Sequence, residues 1–185
     1  MVYAILALAA LFLFTLGFFC IGKITAPKGT GILGIIAGIT GSIIVLWIGF
    51  TDALGVFGTS VSIAVVMAAF CFTVLWTLAG FEVVLGGDFK ATGWFSLLGG
   101  FFAFFIGLGW FGWNTPGALP TIPQFGIMFE VWAVAFWTVF AVFALGKMGL
   151  MKFLGWWLII PTVLITCVWP ALAFSNFGAL GTWLP

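Results

Sequence analysis

Charge is nearly missing from this sequence. Five lysines and four acidic residues are its only charged side chains, 5% of 185 residues, whereas a soluble domain is typically about 25% charged. The chain is 65% hydrophobic, with a mean hydropathy of +1.39. This composition excludes a water-soluble protein. The net charge of +1 also excludes a nucleic-acid partner, which needs a basic patch.

Histidine and arginine are absent altogether. No serine therefore has a histidine base, and no cluster of Cys, His, Asp or Glu has metal-ligand spacing. No glycine-rich loop opens onto a helix with a phosphate-binding lysine. The sequence thus predicts no enzymatic activity, no metal and no cofactor. Cys20, Cys71 and Cys167 lie in different apolar runs, which indicates packing residues rather than a disulfide framework.

Long apolar runs occupy most of the chain instead. They cover residues 2–22, 30–50, 59–85, 93–113, 127–146 and 153–175. Each is long enough for a bilayer-crossing helix, which needs about 20 residues. The strands of a membrane barrel alternate over about ten residues, while these runs are uniformly apolar. We therefore expect an all-α polytopic membrane protein with six spans, forming one domain over residues 1–185.

The five lysines lie in alternate gaps between these runs. Lys23 and Lys28 follow the first run, Lys90 the third, and Lys147 and Lys152 the fifth. The positive-inside bias makes this face cytoplasmic and places both termini outside. Because no charge precedes the first run, we interpret it as a retained helix rather than a signal peptide. Two sets of three spans also permit a 3+3 inverted repeat, which is common in transport proteins.

The second run carries a stripe of small residues. They recur every four residues, with two further glycines beside them, at Thr30, Gly31, Gly34, Gly38, Gly41 and Ser42. Small side chains let helix backbones approach closely in lipid. The stripe therefore predicts a close helix contact, either within one protomer or between subunits.

Two acidic residues approach membrane depth. Glu82, near the end of the third run, is either a solvated helix-end charge or a vestibule residue. Glu130, expected in the first turn of helix 5, either complements the helix N-terminus or lines an outer vestibule. Neither lies at mid-membrane, where ion routes generally place ionisable groups.

Aromatic side chains make up 19% of the chain. On helix 5, three- and four-residue spacing puts four of them on one face: Trp132, Phe136, Phe140 and Phe143. Taken alone, such a stripe indicates core packing. Trp110, Trp113 and Trp183 are expected in the outer interfacial belt.

Several short segments have a family pattern in chain order. They are Gly22-Lys23-Ile24-Thr25-Ala26-Pro27-Lys28-Gly29-Thr30, Phe72-Thr73-Val74-Leu75-Trp76, Gly93-Trp94-Phe95-Ser96-Leu97-Leu98, Trp132-Ala133 and Thr166-Cys167-Val168-Trp169-Pro170-Ala171. They resemble, in turn, the first loop and the motifs of helices 3, 4, 5 and 6 of the urea/amide channel family (the AmiS/UreI family). Their order and spacing extend over nearly the whole chain.

The resemblance implies a six-helix protomer with external termini, assembled as a homohexamer in which each protomer has its own pore. Solute would pass a narrow bore between two constrictions lined by aromatic and aliphatic side chains. Carried over by position, the implied pore residues are Leu6, Leu13, Phe72, Trp76, Trp132, Phe136, Trp137, Phe140 and Phe143.

Two departures from the family pattern affect the expected mechanism. Some members have a glutamate where this chain has Thr162, whose hydroxyl either contacts a passing amide or bonds to its own helix backbone. Acid-gated members have histidine-rich external loops, and this chain has no histidine. Since histidine is the usual sensor near neutral pH, we do not expect that gating here.

The sequence therefore predicts passive permeation of urea or a short aliphatic amide across the bacterial inner membrane. An uncharged bore strips water from its solute, which costs a neutral amide far less than an ion. Two alternatives remain. A proton-coupled secondary transporter of small amides would show flux that depends on a proton gradient, and a non-transporting assembly protein would have a stable partner and no flux.

Overall fold

A computed structural model describes residues 2–24, 27–51, 59–113 and 123–168. Its α-helices are α1 (Val2–Cys20), α2 (Pro27–Thr51), α3 (Thr59–Leu85), α4 (Lys90–Trp110), α5 (Pro123–Val139) and α6 (Met151–Trp157). A π-helical segment, Phe140–Ala144, continues α5, and a second, Leu158–Val168, continues α6. A 3₁₀ turn, Met148–Leu150, precedes α6. These residues include no strand, which confirms the all-helical prediction.

Four of the described helical stretches are long and apolar enough to cross a membrane. They are Pro27–Trp47, Val66–Leu85, Lys90–Trp110 and Phe125–Ala144. Two shorter apolar stretches, Ala7–Cys20 and Met148–Leu164, belong to the first and last helices. The predicted run at 153–175 begins earlier than expected, and its final residues lie outside the described part of the chain.

The helices form a closed ring. Each helix packs against the next one in the chain, and α1 packs against α6 and its π-helical continuation. Since successive helices are antiparallel, their ends alternate between the two ends of the ring. All five lysines are exposed at one of these ends, which we call the lysine-bearing end.

Glycines bring two helix pairs into backbone contact. A Cβ atom on Gly80 of α3 would lie 2.6 Å from the carbonyl oxygen of Gly31 and 2.6 Å from the backbone nitrogen of Ile35. Gly17 of α1 and Gly155 of α6 face one another, because a Cβ on Gly17 would lie 2.8 Å from the Gly155 oxygen. The small-residue stripe of α2 thus contacts α3 within one protomer, as the first of the two alternatives predicted.

The tryptophans expected at the outer membrane interface differ in their exposure. Trp110 is only 1% exposed, and its ring packs on Phe125 with centroids 5.0 Å apart. Its placement in an interfacial belt is therefore wrong: the last turn of α4 faces α5 and buries this side chain. Trp113 is 78% exposed, as a belt residue would be. Trp183 lies outside the described residues.

Candidate functional site

The ring of helices encloses a narrow cavity of about 40 Å³. Every helix except α2 contributes to its lining, through Phe12, Leu13, Leu16, Phe19, Cys20, Leu75, Trp76, Ala79, Phe89, Thr92, Trp132, Ala135, Phe136, Val139, Phe143, Leu154 and Leu158. The volume is large enough for water, but this apolar lining offers almost no hydrogen-bond partners, and apolar cavities stay dry. None of the lining side chains in the described part of the chain is charged.

An aromatic cluster fills the ring beside the cavity. The ring of Phe72 stacks on Trp132 with centroids 4.4 Å apart and an interplanar angle of 28°. It also stacks on Phe136, at 4.9 Å and 12°. Trp76 lies 6.3 Å from Trp132 and 6.3 Å from Phe12, again between centroids. The cluster therefore joins α1, α3 and α5 across the interior of the ring.

Most of the predicted pore residues meet at this place. Leu13, Trp76, Trp132, Phe136 and Phe143 line the cavity. Phe72 adjoins it through its stacked partners. The side chain of Leu6 lies outside the described part of the structure.

Two predicted pore residues on helix 5 face α4 instead. Phe140 makes an edge contact with Trp94, at 5.1 Å between centroids, and Trp137 packs against Phe104 at 5.6 Å. Neither lines the cavity. At about 100° per residue, Phe140 is about 80° around the helix from Trp132, and Val139 only about 20°. Val139 therefore takes the cavity position, while a pore role for Phe140 and Trp137 stays a prediction without support from this geometry.

Thr162 is fully buried in the π-helical continuation of α6. Its hydroxyl donates a hydrogen bond of 3.0 Å to the carbonyl oxygen of Trp157. Pro161, four residues after Trp157, has no N–H to donate to that carbonyl. Of the two roles considered for the Thr162 hydroxyl, bonding to its own helix is the one seen. Thr162 is not among the cavity-lining residues.

The two glutamates lie off the cavity. Glu82 accepts a hydrogen bond from the hydroxyl of Thr92, which joins the end of α3 to the start of α4. Glu130 packs against α4, where a Cβ on Gly107 would lie 2.5 Å from its Oε1 atom. Because α5 begins at Pro123, Glu130 is not in the first turn as expected. Helix-terminus stabilisation falls off within that turn, so this role for Glu130 is wrong.

The profile of the AmiS/UreI family transporters matches residues 1–176. The chain belongs to the AmiS/UreI family. A search of curated proteins finds no significant match.

Two solved structures of this fold are similar over nearly their whole length. A cryo-EM structure of the Helicobacter pylori urea channel in its closed state has a TM-score of 0.77 and 19% identity, covering 94% of this chain and 97% of that one. A crystal structure of the urea channel from the same organism has a TM-score of 0.73 and 20% identity, covering 91% and 94%. At these identities the likeness shows the fold, which agrees with a multi-pass membrane transporter.

Several residues that line the cavity were not predicted from the sequence. Cys20 and Leu154 line it from helix ends that meet across the Gly17–Gly155 contact. Thr92 lines it from the first turn of α4, and Phe89 from the loop before α4. Apolar residues at helix ends carry no local pattern that separates a cavity from ordinary packing, so only the fold identifies them.

The loop before α4 is held by a local ion pair. The backbone N–H of Lys90 donates to Oδ1 of Asp88 at 3.1 Å, and the Lys90 ammonium lies 3.3 Å from Oδ2. These two contacts, the backbone hydrogen bond first, lower the pKa of Asp88 below its usual value. The contribution of this carboxylate to stability is therefore present above its unfolded pKa and is lost as the pH falls through the lowered one.

Proposed function

We propose that this AmiS/UreI family member is a passive channel for urea or a short aliphatic amide, with one aromatic-lined pore in each protomer. The observation that carries the proposal is the uncharged cavity inside the closed ring of helices, bordered by the stacked rings of Phe72, Trp132 and Phe136. The two solved structures with this fold are urea channels, which supports the same class of solute here.

The aromatic cluster suits a planar, neutral solute. Its rings are stacked at 4.4 and 4.9 Å between centroids, which is van der Waals contact and leaves no room for a third plane between them. A planar amide in the bore could therefore stack between these rings only by displacing one of them. Leu13 and Trp76 on the cavity side would then confine it within the bore.

The same lining opposes ions. Moving an ion from water into an apolar bore costs many kcal/mol of Born energy, whereas a neutral amide loses only hydrogen bonds. No ionisable carboxylate or ammonium lines the cavity within the described part of the chain. Glu82 and Glu130 are not among the lining residues, which favours passive flux over proton coupling.

Topology and assembly complete the proposal. The lysine-bearing end faces the cytoplasm of a bacterium, by the positive-inside bias. The first and last helices supply two further spans of the inner membrane, so that both termini are outside and a 3+3 inverted repeat is possible.

The family resemblance implies a homohexamer. Exposed apolar side chains along α4, at Trp94, Leu98, Phe101, Phe102 and Phe105, suit contact with lipid or a neighbouring protomer.

Stopped-flow measurements on proteoliposomes test this function. Urea and acetamide should equilibrate faster than in protein-free liposomes, without dependence on a proton gradient, while sodium flux stays at the protein-free level. Urea and acetamide fluxes no higher than in empty liposomes would overturn the proposal. A flux that follows an imposed proton gradient would instead assign the chain to coupled transport.

A further inference from the structure

We propose that Phe89, in the loop between α3 and α4, forms with Phe143 the constriction at the lysine-bearing end of the bore and sets the size of the solute that passes. Its size-selecting role rests on the proposed channel function. The closure of the cavity by this pair does not.

The two rings meet where the cavity ends. Phe89 and Phe143 both line it, and their rings stack with centroids 4.9 Å apart and an interplanar angle of 25°. Phe89 comes from the loop before α4, and Phe143 from the π-helical segment that continues α5. Cys20, in the last turn of α1, and Leu154, in the first turns of α6, line the cavity at the same end. The stacked pair thus closes the space between the ends of four helices.

The backbone of Phe89 is unusual. It has φ 60° and ψ 8°, a left-handed conformation, and it is the one non-glycine residue with positive φ among the described residues. This conformation is unfavourable for an L-residue, whereas glycine adopts it freely. Phe89 therefore has a strained backbone, and in this conformation its ring lies at the end of the cavity. Strained backbone of this kind clusters at clamps and switch regions.

Neighbouring contacts hold the strained residue in place. Asp88, the residue before Phe89, accepts a hydrogen bond from the backbone N–H of Lys90, the residue after it. Thr92 donates to Glu82 and ties the first turn of α4 to the last turn of α3. Both bonds therefore span Phe89 and hold the loop on either side of it. The position of its ring is therefore set by the fold as well as by contact with Phe143.

A thiol-labelling experiment tests the constriction without relying on solute flux. Replacing Cys71 and Cys167 with alanine leaves Cys20 as the sole thiol, and Cys20 is buried and lines the cavity. The probe is 2-(trimethylammonium)ethyl methanethiosulfonate, whose permanent charge keeps it out of detergent and lipid. In this background Phe89→Gly should raise the labelling rate of Cys20 at least about tenfold, because a thiol reacts only when it is accessible. Glycine also relieves the backbone strain, so the variant is expected to fold.

The matched control is Phe81→Ala, which removes an exposed ring on the outer side of α3. It should label at the parent rate. Phe89→Ala, which removes the same atoms as the control does, should label faster than Phe81→Ala. If the folded Phe89→Gly and Phe89→Ala proteins label no faster than the control, the pair does not close the cavity and the inference is overturned.

Flux then tests the size limit. In proteoliposomes, Phe89→Gly should raise the permeability ratio of butyramide to urea about tenfold, since pockets discriminate about tenfold or more per methylene. Wild-type protein that conducts no amide would defeat the proposed function, and the labelling result would still decide the constriction. Wild-type flux with an unchanged ratio in Phe89→Gly would overturn the size-selecting role of Phe89 alone.

Discussion

Replacing Gly80 with alanine should weaken the contact between α2 and α3. The new Cβ atom would lie 2.6 Å from the oxygen of Gly31, 2.6 Å from the nitrogen of Ile35 and 3.0 Å from the carbonyl carbon of Gly34. All three are backbone atoms, which cannot rotate away as a side chain could. The two helices must therefore move apart along the seam to admit one methyl group.

Gly29→Ala is the matched control. Gly29 also lies in an α-helix, and a Cβ there meets nothing within 4 Å. Gly80→Ala, in the interior of α3, gains the higher helix propensity of alanine, about 1 kcal/mol, whereas Gly29→Ala, in the first turn of α2, gains no more than this, so the comparison does not overstate the packing cost. The difference between them reports the packing cost, and overpacking by a methyl group typically costs about 1–3 kcal/mol. Gly80→Ala should therefore be the less stable variant by that amount.

Stability is measured by equilibrium unfolding of the two variants in the same detergent, with tryptophan fluorescence as the signal. A second measurement is the temperature at which each variant loses its folded species in size-exclusion chromatography. If Gly80→Ala is as stable as Gly29→Ala, the backbones of α2 and α3 are not in the close contact described here, and the role of the small-residue stripe would need another explanation.

Three further predictions concern the cavity and its surroundings. Trp76→Ala should raise the butyramide-to-urea permeability ratio about tenfold. Phe140→Ala, outside the cavity, should leave this ratio unchanged at equal protein abundance. A larger change of the ratio in Phe140→Ala than in Trp76→Ala would contradict the cavity assignment. Thr92→Val should lower the free energy of unfolding by about 1–3 kcal/mol, because Glu82 loses its hydrogen-bond donor, and Thr92→Ser should restore it. Permeability should be nearly flat between about pH 5 and pH 7.5, where no histidine titrates and Asp88, with its lowered pKa, stays ionised; a steep rise in acid would refute this.

Much of the fold was predictable because a bilayer imposes simple rules. Uniform apolar runs predicted helices, and the third run, 59–85, coincides with α3. The lysines were expected to share one face, and they lie at one end of the ring. Helix starts were less predictable: α4 begins at Lys90 and α5 at Pro123, before the uniformly apolar part of each run. Polar residues at the membrane surface extend helices beyond the hydropathy signal.

The site was partly predictable. Family motifs indicated Trp76, Trp132 and Phe136, which line the cavity. A three- and four-residue stripe could not separate Val139 from Phe140, since either continues it and only the path of α5 against α4 decides. The position of Phe89 at the cavity could not be predicted, because no sequence pattern indicates that a loop residue in a left-handed conformation turns its ring toward a cavity.

The most direct test of the central claim is urea uptake by proteoliposomes containing a protomer with a filled bore. Ala135 is 4% exposed and lines the cavity, so Ala135→Leu should occupy that space. Ala91, exposed in the first turn of α4, provides the control Ala91→Leu. We predict urea permeability above the protein-free level for wild type and Ala91→Leu, and a return to that level for folded Ala135→Leu. Undiminished flux through folded Ala135→Leu would contradict a pathway through this cavity.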